Sequence, residues 1–81
     1  MERIEIINRV ERILINILKH HQFEMQDDLT ASDVEGWDSL THMMIISEIE
    51  NNFGIKFKLK ELNRLTNMGS LIELINSKIE A

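Results

Sequence analysis

The 81-residue sequence contains no cysteine, no proline, no tyrosine and only three glycines. Without cysteine it has no disulfide framework, no thiolate zinc site and no cysteine nucleophile. Few turn-forming residues, and few β-branched residues besides isoleucine, leave an antiparallel sheet without its turns and strands. A chain of this length has room for one hydrophobic core. The sequence therefore predicts a single all-α domain over residues 1–81.

Positive charge is also scarce, since 9 Lys and Arg face 14 Asp and Glu, for a net charge of -5. Nucleic-acid affinity rests largely on Lys and Arg, so no nucleic-acid partner is expected. No apolar run approaches the roughly 20 residues of a membrane span. Acidic Glu2 and Glu5 stand where a signal peptide needs a basic start. We therefore expect a cytoplasmic monomer without a membrane span.

Charge is distributed unevenly along the chain. Residues 1–53 hold eleven carboxylates and four Lys or Arg, whereas residues 54–81 hold five Lys or Arg and three carboxylates. The stretch 24–38 has six carboxylates and no basic residue, but it lacks the ligand spacing of an EF-hand. His20 and His21, adjacent at a predicted helix end, suit the helix dipole better than a metal. No metal site is predicted.

Apolar residues recur at steps of three and four in three segments, which predicts three longer amphipathic helices. These span about 3–20, about 39–52 after a capping Asp38, and about 68–79. Thr66 or Asn67 is the expected cap of the last helix, and Ser70 begins a competing capping box. A short helix is predicted at about 59–64. The predicted apolar stripes contain Ile4, Ile7, Val10, Leu14, Ile17 and Leu18, then Leu40, Met43, Ile46, Ile49 and Phe53, and finally Met68, Leu71, Ile72, Ile75 and Ile79.

The connection over residues 21–38 shows no lasting periodicity and is long for a compact domain. It is expected to be ordered, because apolar residues recur along it and can lie on the bundle: Phe23, Met25, Leu29, Val34 and Trp37. Packing of this kind is the expected role of Trp37, rather than stacking on a ligand. The predicted fold is a four-helix bundle of three longer helices and one short helix, with a long loop between the first and second.

Ser39 is the residue most suited to chemistry, because it lies in the predicted first turn of the second helix, beside Asp38. Free backbone N–H groups there favour an attached phosphate, although both residues could serve only to start the helix. A hydrolase would need Ser39, Asp38 and His42 to converge, which residues three apart on one helix do not do. A second alternative is a non-enzymatic adaptor that binds a partner through Leu40, Met43, Met44 and Ser47. Of the adjacent Met43 and Met44, one could face inward while the other stays exposed.

A wider pattern surrounds Ser39. The segment Gly36-Trp37-Asp38-Ser39-Leu40 is followed by Phe53-Gly54-Ile55-Lys56-Phe57, and then by Thr66-Asn67-Met68-Gly69-Ser70-Leu71. With these segments nearly the whole chain resembles the acyl carrier proteins. The resemblance implies a four-helix bundle that is not an enzyme. It also implies that a phosphopantetheinyl transferase moves 4'-phosphopantetheine from coenzyme A to Ser39, with Asp38 assisting recognition, and that acyl-loading and acyl-processing enzymes are partners.

The sequence departs from the carriers of primary fatty-acid synthesis in its surface charge. Thr41 and Met44 are uncharged, although the second helix of those carriers usually presents acidic side chains. Trp37 stands where those carriers usually have a small residue. The region of the short helix is basic, with Lys56, Lys58, Lys60 and Arg64. These departures predict a specialised pathway, with partner binding through Leu40, Met43, Met44, Lys58 and Lys60.

Overall fold

The computed structural model describes residues 1–80, so Ala81, the last residue of the predicted domain, lies outside the described residues. Its helices are α1 (Arg3–Leu18), α2 (Ser39–Phe53), α3 (Leu59–Leu62) and α4 (Met68–Glu80), with a 3₁₀ turn at Ala31–Asp33. No strand occurs over residues 1–80. The prediction of an all-α fold with three longer helices and one short helix is confirmed.

The hydrophobic core forms where α1 packs against both α2 and α4. Burial of an aliphatic side chain contributes about 1.5–3 kcal/mol, so a core of this kind supplies most of the driving force for folding. The buried cluster consists of Ile6, Val10, Ile13, Leu14, Ile45, Ile46, Ile49, Met68, Leu71, Ile72 and Ile75. The predicted stripe of α4 is therefore confirmed, except that Ile79 is only half-buried.

The predicted stripes of α1 and α2 contain errors. Ile4 is 59% exposed, and Ile6 and Ile13 occupy the core instead. In α2, Leu40 is 72% and Met43 58% exposed, and the buried residues begin at Ile45. Isoleucine is so frequent in this sequence that several helical stripes fit the apolar spacing, and spacing alone does not show which stripe a neighbouring helix covers.

The ends of α1 and α2 follow from backbone conformation. Lys19 adopts a left-handed φ of 65°, which ends α1 at Leu18, earlier than predicted. His20 therefore lies beyond the helix, where its Nε2 donates to the carbonyl oxygen of Glu35 at 2.6 Å. Both histidines therefore follow the end of α1 rather than lying in its last turn. Gly54, at φ 67°, ends α2 within one residue of the prediction.

The start of α4 is capped by Asn67, as predicted. Its Oδ1 accepts the backbone N–H of Ser70 at 2.9 Å, and the Ser70 Oγ accepts the N–H of Asn67 at 3.1 Å. Ser70 is therefore the third residue of α4, and its side chain completes a reciprocal capping box with Asn67. The alternative in which Ser70 itself begins the capping box is wrong.

The loop over residues 21–38 is fastened to the start of α4. The N–H of Met68 donates to the Leu29 carbonyl at 2.7 Å, and that of Gly69 donates to the Asp27 carbonyl at 2.9 Å. Loop carbonyls thereby satisfy N–H groups that the first turn of a helix leaves free. The five apolar residues of the loop are buried or packed against the core, which confirms the predicted anchoring: Phe23, Met25, Leu29, Val34 and Trp37.

Candidate functional site at the start of α2

The first turn of α2 is held by reciprocal hydrogen bonds. The Asp38 carboxylate accepts the N–H of Thr41 at 2.9 Å, and the N–H of Asp38 donates to the Thr41 hydroxyl at 2.8 Å. The same hydroxyl donates to the carbonyl oxygen of Gly36 at 2.7 Å. Gly36 has a φ of 85°, which favours glycine and turns the chain into the helix. The predicted cap at Asp38 is confirmed, and the chain entering α2 has a defined path.

Ser39 is the first residue of α2 and is exposed. Over residues 1–80, no hydrogen bond engages its hydroxyl, and the neighbouring Asp38 and Thr41 bond to each other. The N-terminus of a helix carries partial positive charge and unpaired N–H groups, which suit a phosphate. The residues around Ser39 therefore fit a phosphate ester on its Oγ.

Asp38 places a negative charge next to Ser39. The backbone N–H of Thr41 stabilises the ionised carboxylate and lowers the pKa of Asp38 below its ordinary value of 3.8, outweighing partial desolvation. The group is therefore ionised at neutral pH. It both caps α2 and presents charge to a molecule that approaches Ser39.

Trp37 and His42 meet beside this turn. The indole Nε1–H donates to His42 Nδ1 at 3.0 Å, and the two rings are stacked with centroids 6.1 Å apart. Both side chains are half-buried and border a cleft of about 80 Å³ between the loop and the start of α4. Trp37 also packs against the core, so its predicted packing role is confirmed.

A hydrolytic triad is not formed. Nδ1 of His42 is engaged by Trp37, and the Asp38 carboxylate is engaged by Thr41, so the two do not act together on Ser39. No group of three His, Asp or Glu side chains over residues 1–80 could hold a metal ion. None of the described helices is long and apolar enough to cross a membrane.

The side chains predicted to bind partners are all exposed. Leu40, Met43 and Met44 form an apolar surface on α2, the α2 face, which borders a shallow groove against Ile17 of α1. Met44 is 48% exposed, so neither methionine turns inward. The structure groups these three residues because they occupy the first two turns of one helix.

The basic side chains near α3 are exposed as well: Lys56, Lys58, Lys60 and Arg64. Of the nearby acids, Glu61 pairs with Lys78 of α4 at 2.8 Å, and the Glu50 carboxylate accepts the N–H of Phe57 at 2.8 Å. None of the ion pairs over residues 1–80 includes a member of this group, which we call the basic patch. Lys58 still attracts the Glu61 carboxylate and, after Lys78, helps to lower its pKa, but no member of the basic patch is held in an ion pair over residues 1–80.

Two features of the site were not predicted from the sequence. The reciprocal cap by Thr41 has a signal, since a cap residue followed three positions later by a hydroxyl or carboxylate is a capping-box spacing. The bond between Trp37 and His42 has none, because it depends on how the loop returns to the helix.

Comparison with known proteins identifies the class. The family model described as a phosphopantetheine attachment site matches residues 8–75, and the chain belongs to this family. The resemblance to acyl carrier proteins is thereby confirmed.

Particular relatives are similar in sequence and in fold. The non-reducing polyketide synthase pkdA of Emericella nidulans is 34% identical over 77 residues, which are 95% of this chain but 3% of the synthase. The solution structure of a holo acyl carrier protein from Geobacter metallireducens superposes with a TM-score of 0.85 at 31% identity. That match covers 91% of this chain and 85% of the other.

Family membership establishes the general activity. The chain is an acyl carrier that holds intermediates on covalent 4'-phosphopantetheine. It is a non-enzymatic carrier. The adaptor interpretation is not favoured.

Proposed function

We propose that Ser39 is the residue that bears 4'-phosphopantetheine. A phosphopantetheinyl transferase joins Ser39 Oγ to the pantetheine-bearing phosphorus of coenzyme A. The pyrophosphate bond breaks, the adenosine bisphosphate half leaves, and the hydroxyl proton passes to the transferase or solvent. The observation that carries this proposal is the exposed, unengaged hydroxyl of Ser39 at the N-terminus of α2. The charge of Asp38 beside it is the proposed recognition feature for the transferase.

The test is the intact mass of the apo protein after incubation with coenzyme A and a broad-specificity transferase. Wild type should gain one phosphopantetheine, and Ser39→Ala should gain none. Ser47→Ala is the matched control, because Ser47 is another exposed serine of α2, and it should be loaded like wild type. An unmodified wild type, in a reaction that loads a second carrier present in the same tube, would contradict the proposal.

We further propose that this carrier serves a specialised pathway, as a monomer in the cytoplasm, and that its cargo is a polyketide intermediate. The similarity to a polyketide synthase supports the cargo. The uncharged α2 face and the basic patch support partners other than those that dock on acidic carriers.

Partner recognition is proposed to use both surfaces. Methionine adapts to irregular apolar pockets, so Met43 and Met44, together with Leu40, offer a contact that tolerates several partner shapes. Lys58 and Lys60 attract acidic side chains and should act mainly on association rate and specificity. The fitting partner therefore has an apolar pocket bordered by carboxylates.

Negative charges introduced at each surface in turn separate the contributions of the α2 face and the basic patch to partner recognition. With the cognate acyl-loading enzyme, Met44→Glu and the double variant Lys58→Glu/Lys60→Glu should each lower kcat/KM. The double variant should also make kcat/KM depend less on salt concentration. Arg12→Glu/Lys19→Glu makes the same change of net charge at exposed positions of α1 and its cap and should leave the rate near wild type. If the double variant at Lys58 and Lys60 is loaded normally while Met44→Glu is not, the basic patch is no docking site.

A further inference from the structure

The hydrogen bond between Trp37 and His42 makes a demand on the histidine. An indole N–H can only donate, so Nδ1 must accept, and this pairing requires an imidazole that carries its single proton on Nε2. A protonated imidazole is a donor at both nitrogens and has no lone pair for the indole. The observed pairing therefore exists only in neutral His42.

No other charged group replaces that bond on protonation. The cleft that His42 borders is otherwise lined by uncharged residues of the loop, of the α3–α4 connection and of α4: Leu29, Ala31, Trp37, Leu65, Thr66, Asn67, Met68 and Leu71. Asp38, the cap residue four positions before His42, keeps its carboxylate on Thr41. No ion pair over residues 1–80 includes His42. A charge acquired here thus removes one contact without supplying another.

Ser39 lies between the two partners of this bond. Trp37 precedes it in the loop, and His42 follows it in the first turns of α2. The bond therefore joins the chain before Ser39 to the helix after it, alongside the separate fastening through Thr41 and Gly36. Its loss removes one of the side-chain hydrogen bonds that hold the entry to α2 and leaves those of Thr41 in place.

We propose that His42 is a positioning residue for Ser39, and that its protonation releases Trp37 and loosens the entry to α2. The carrier is then loaded most readily when His42 is neutral. The link to loading rests on Ser39 as the attachment residue, whereas the release of Trp37 does not. An ordinary hydrogen bond supports about a two- to tenfold change in population, which sets the size of the expected effect.

The first experiment follows the fluorescence of Trp37, the single tryptophan of the chain, between about pH 5 and 8, where histidines titrate. Wild type should show one transition in emission, and His42→Gln, whose amide oxygen accepts a hydrogen bond without titrating in this range, should show none. His20→Gln is the critical control, because His20 contacts the loop at Glu35. His21→Gln is an exposed control. A transition that persists in His42→Gln, or that vanishes in His20→Gln, overturns the release of Trp37.

The second experiment compares initial rates of phosphopantetheine transfer to wild type and to His42→Gln at each pH. Their ratio cancels the pH dependence of the transferase itself. The ratio should fall about two- to tenfold between the neutral and acidic ends of the fluorescence transition. A ratio independent of pH overturns the positioning role of His42 even if fluorescence titrates. Loading of neither protein would instead contradict the assignment of Ser39.

Discussion

At the scale of single residues, Asp38 caps α2 and is also the proposed recognition feature for the transferase, and substitution can separate these two roles. Asparagine caps helices about as well as aspartate, whereas alanine does not. Asp38→Asn should therefore melt close to wild type at neutral pH and Asp38→Ala clearly lower, as measured by circular dichroism. If the charge guides the transferase, both variants should be loaded slowly. An Asp38→Asn protein that melts as low as Asp38→Ala would contradict the cap.

The lowered pKa of Asp38 gives this cap a defined pH dependence. Because the carboxyl has a lower pKa in the folded than in the unfolded protein, its stabilisation is complete above about pH 5 and is lost as pH falls through the folded value. The difference in melting temperature between wild type and Asp38→Ala should therefore shrink below about pH 4. A difference that stays constant into strong acid would show that the ionised form is not what caps α2.

At the scale of helices and loops, Gly69 decides how closely the loop approaches α4. A Cβ at this position would lie 3.0 Å from the Asp27 Cβ and 3.2 Å from its backbone oxygen. Replacing glycine by alanine inside a helix ordinarily stabilises by about 1 kcal/mol. Here the clash, which costs about 1–3 kcal/mol, should outweigh that gain, and we expect Gly69→Ala to lose up to about 2 kcal/mol net in urea denaturation.

A control for that substitution lies in the same helix. Ser77→Ala alters an exposed position of α4 and should change stability by no more than about 0.5 kcal/mol. A Gly69→Ala protein as stable as wild type would mean that the loop does not rest on the start of α4.

Helix limits were predictable where side chains mark them. Asp38 and Gly54 bracket α2 in the sequence as they do in the structure. The end of α1 was not predictable, because lysine carries no signal for the left-handed conformation of Lys19. The docking of the loop on Gly69 was also hidden, since it joins distant segments through backbone groups that every residue possesses.

At the scale of the whole molecule, the net charge of -5 makes stability sensitive to salt. Some carboxylates of the loop over residues 21–38, the acidic loop, have partners. Asp27 pairs with Arg3 at 2.9 Å, and Asp33 caps the 3₁₀ turn. The remaining carboxylates still repel one another, and added cations screen this repulsion. The melting temperature should therefore rise gradually with sodium chloride, and with magnesium chloride at lower concentration. A melting temperature indifferent to both salts would show that the acidic loop carries no net repulsion.

The class of the protein followed from the sequence, and Ser39 stays the predicted attachment residue, whereas the burial of individual side chains did not follow from the sequence. The segment around Ser39 and the spacing to Gly54 and Gly69 indicated the family that the comparison confirms. Exposure of Leu40 and Met43 required the structure, because burial depends on which helices pack together and not on apolar character alone.

The measurement that tests the central claim most directly is the position of phosphopantetheine within the loaded chain. Trypsin cleaves after Lys and Arg, and none occurs between residues 20 and 55, so one peptide over 20–56 contains Ser32, Ser39 and Ser47. Fragmentation of that peptide by mass spectrometry should place the modification on Ser39. Modification on Ser32 or Ser47, or on a peptide containing Ser70 or Ser77, would contradict the account.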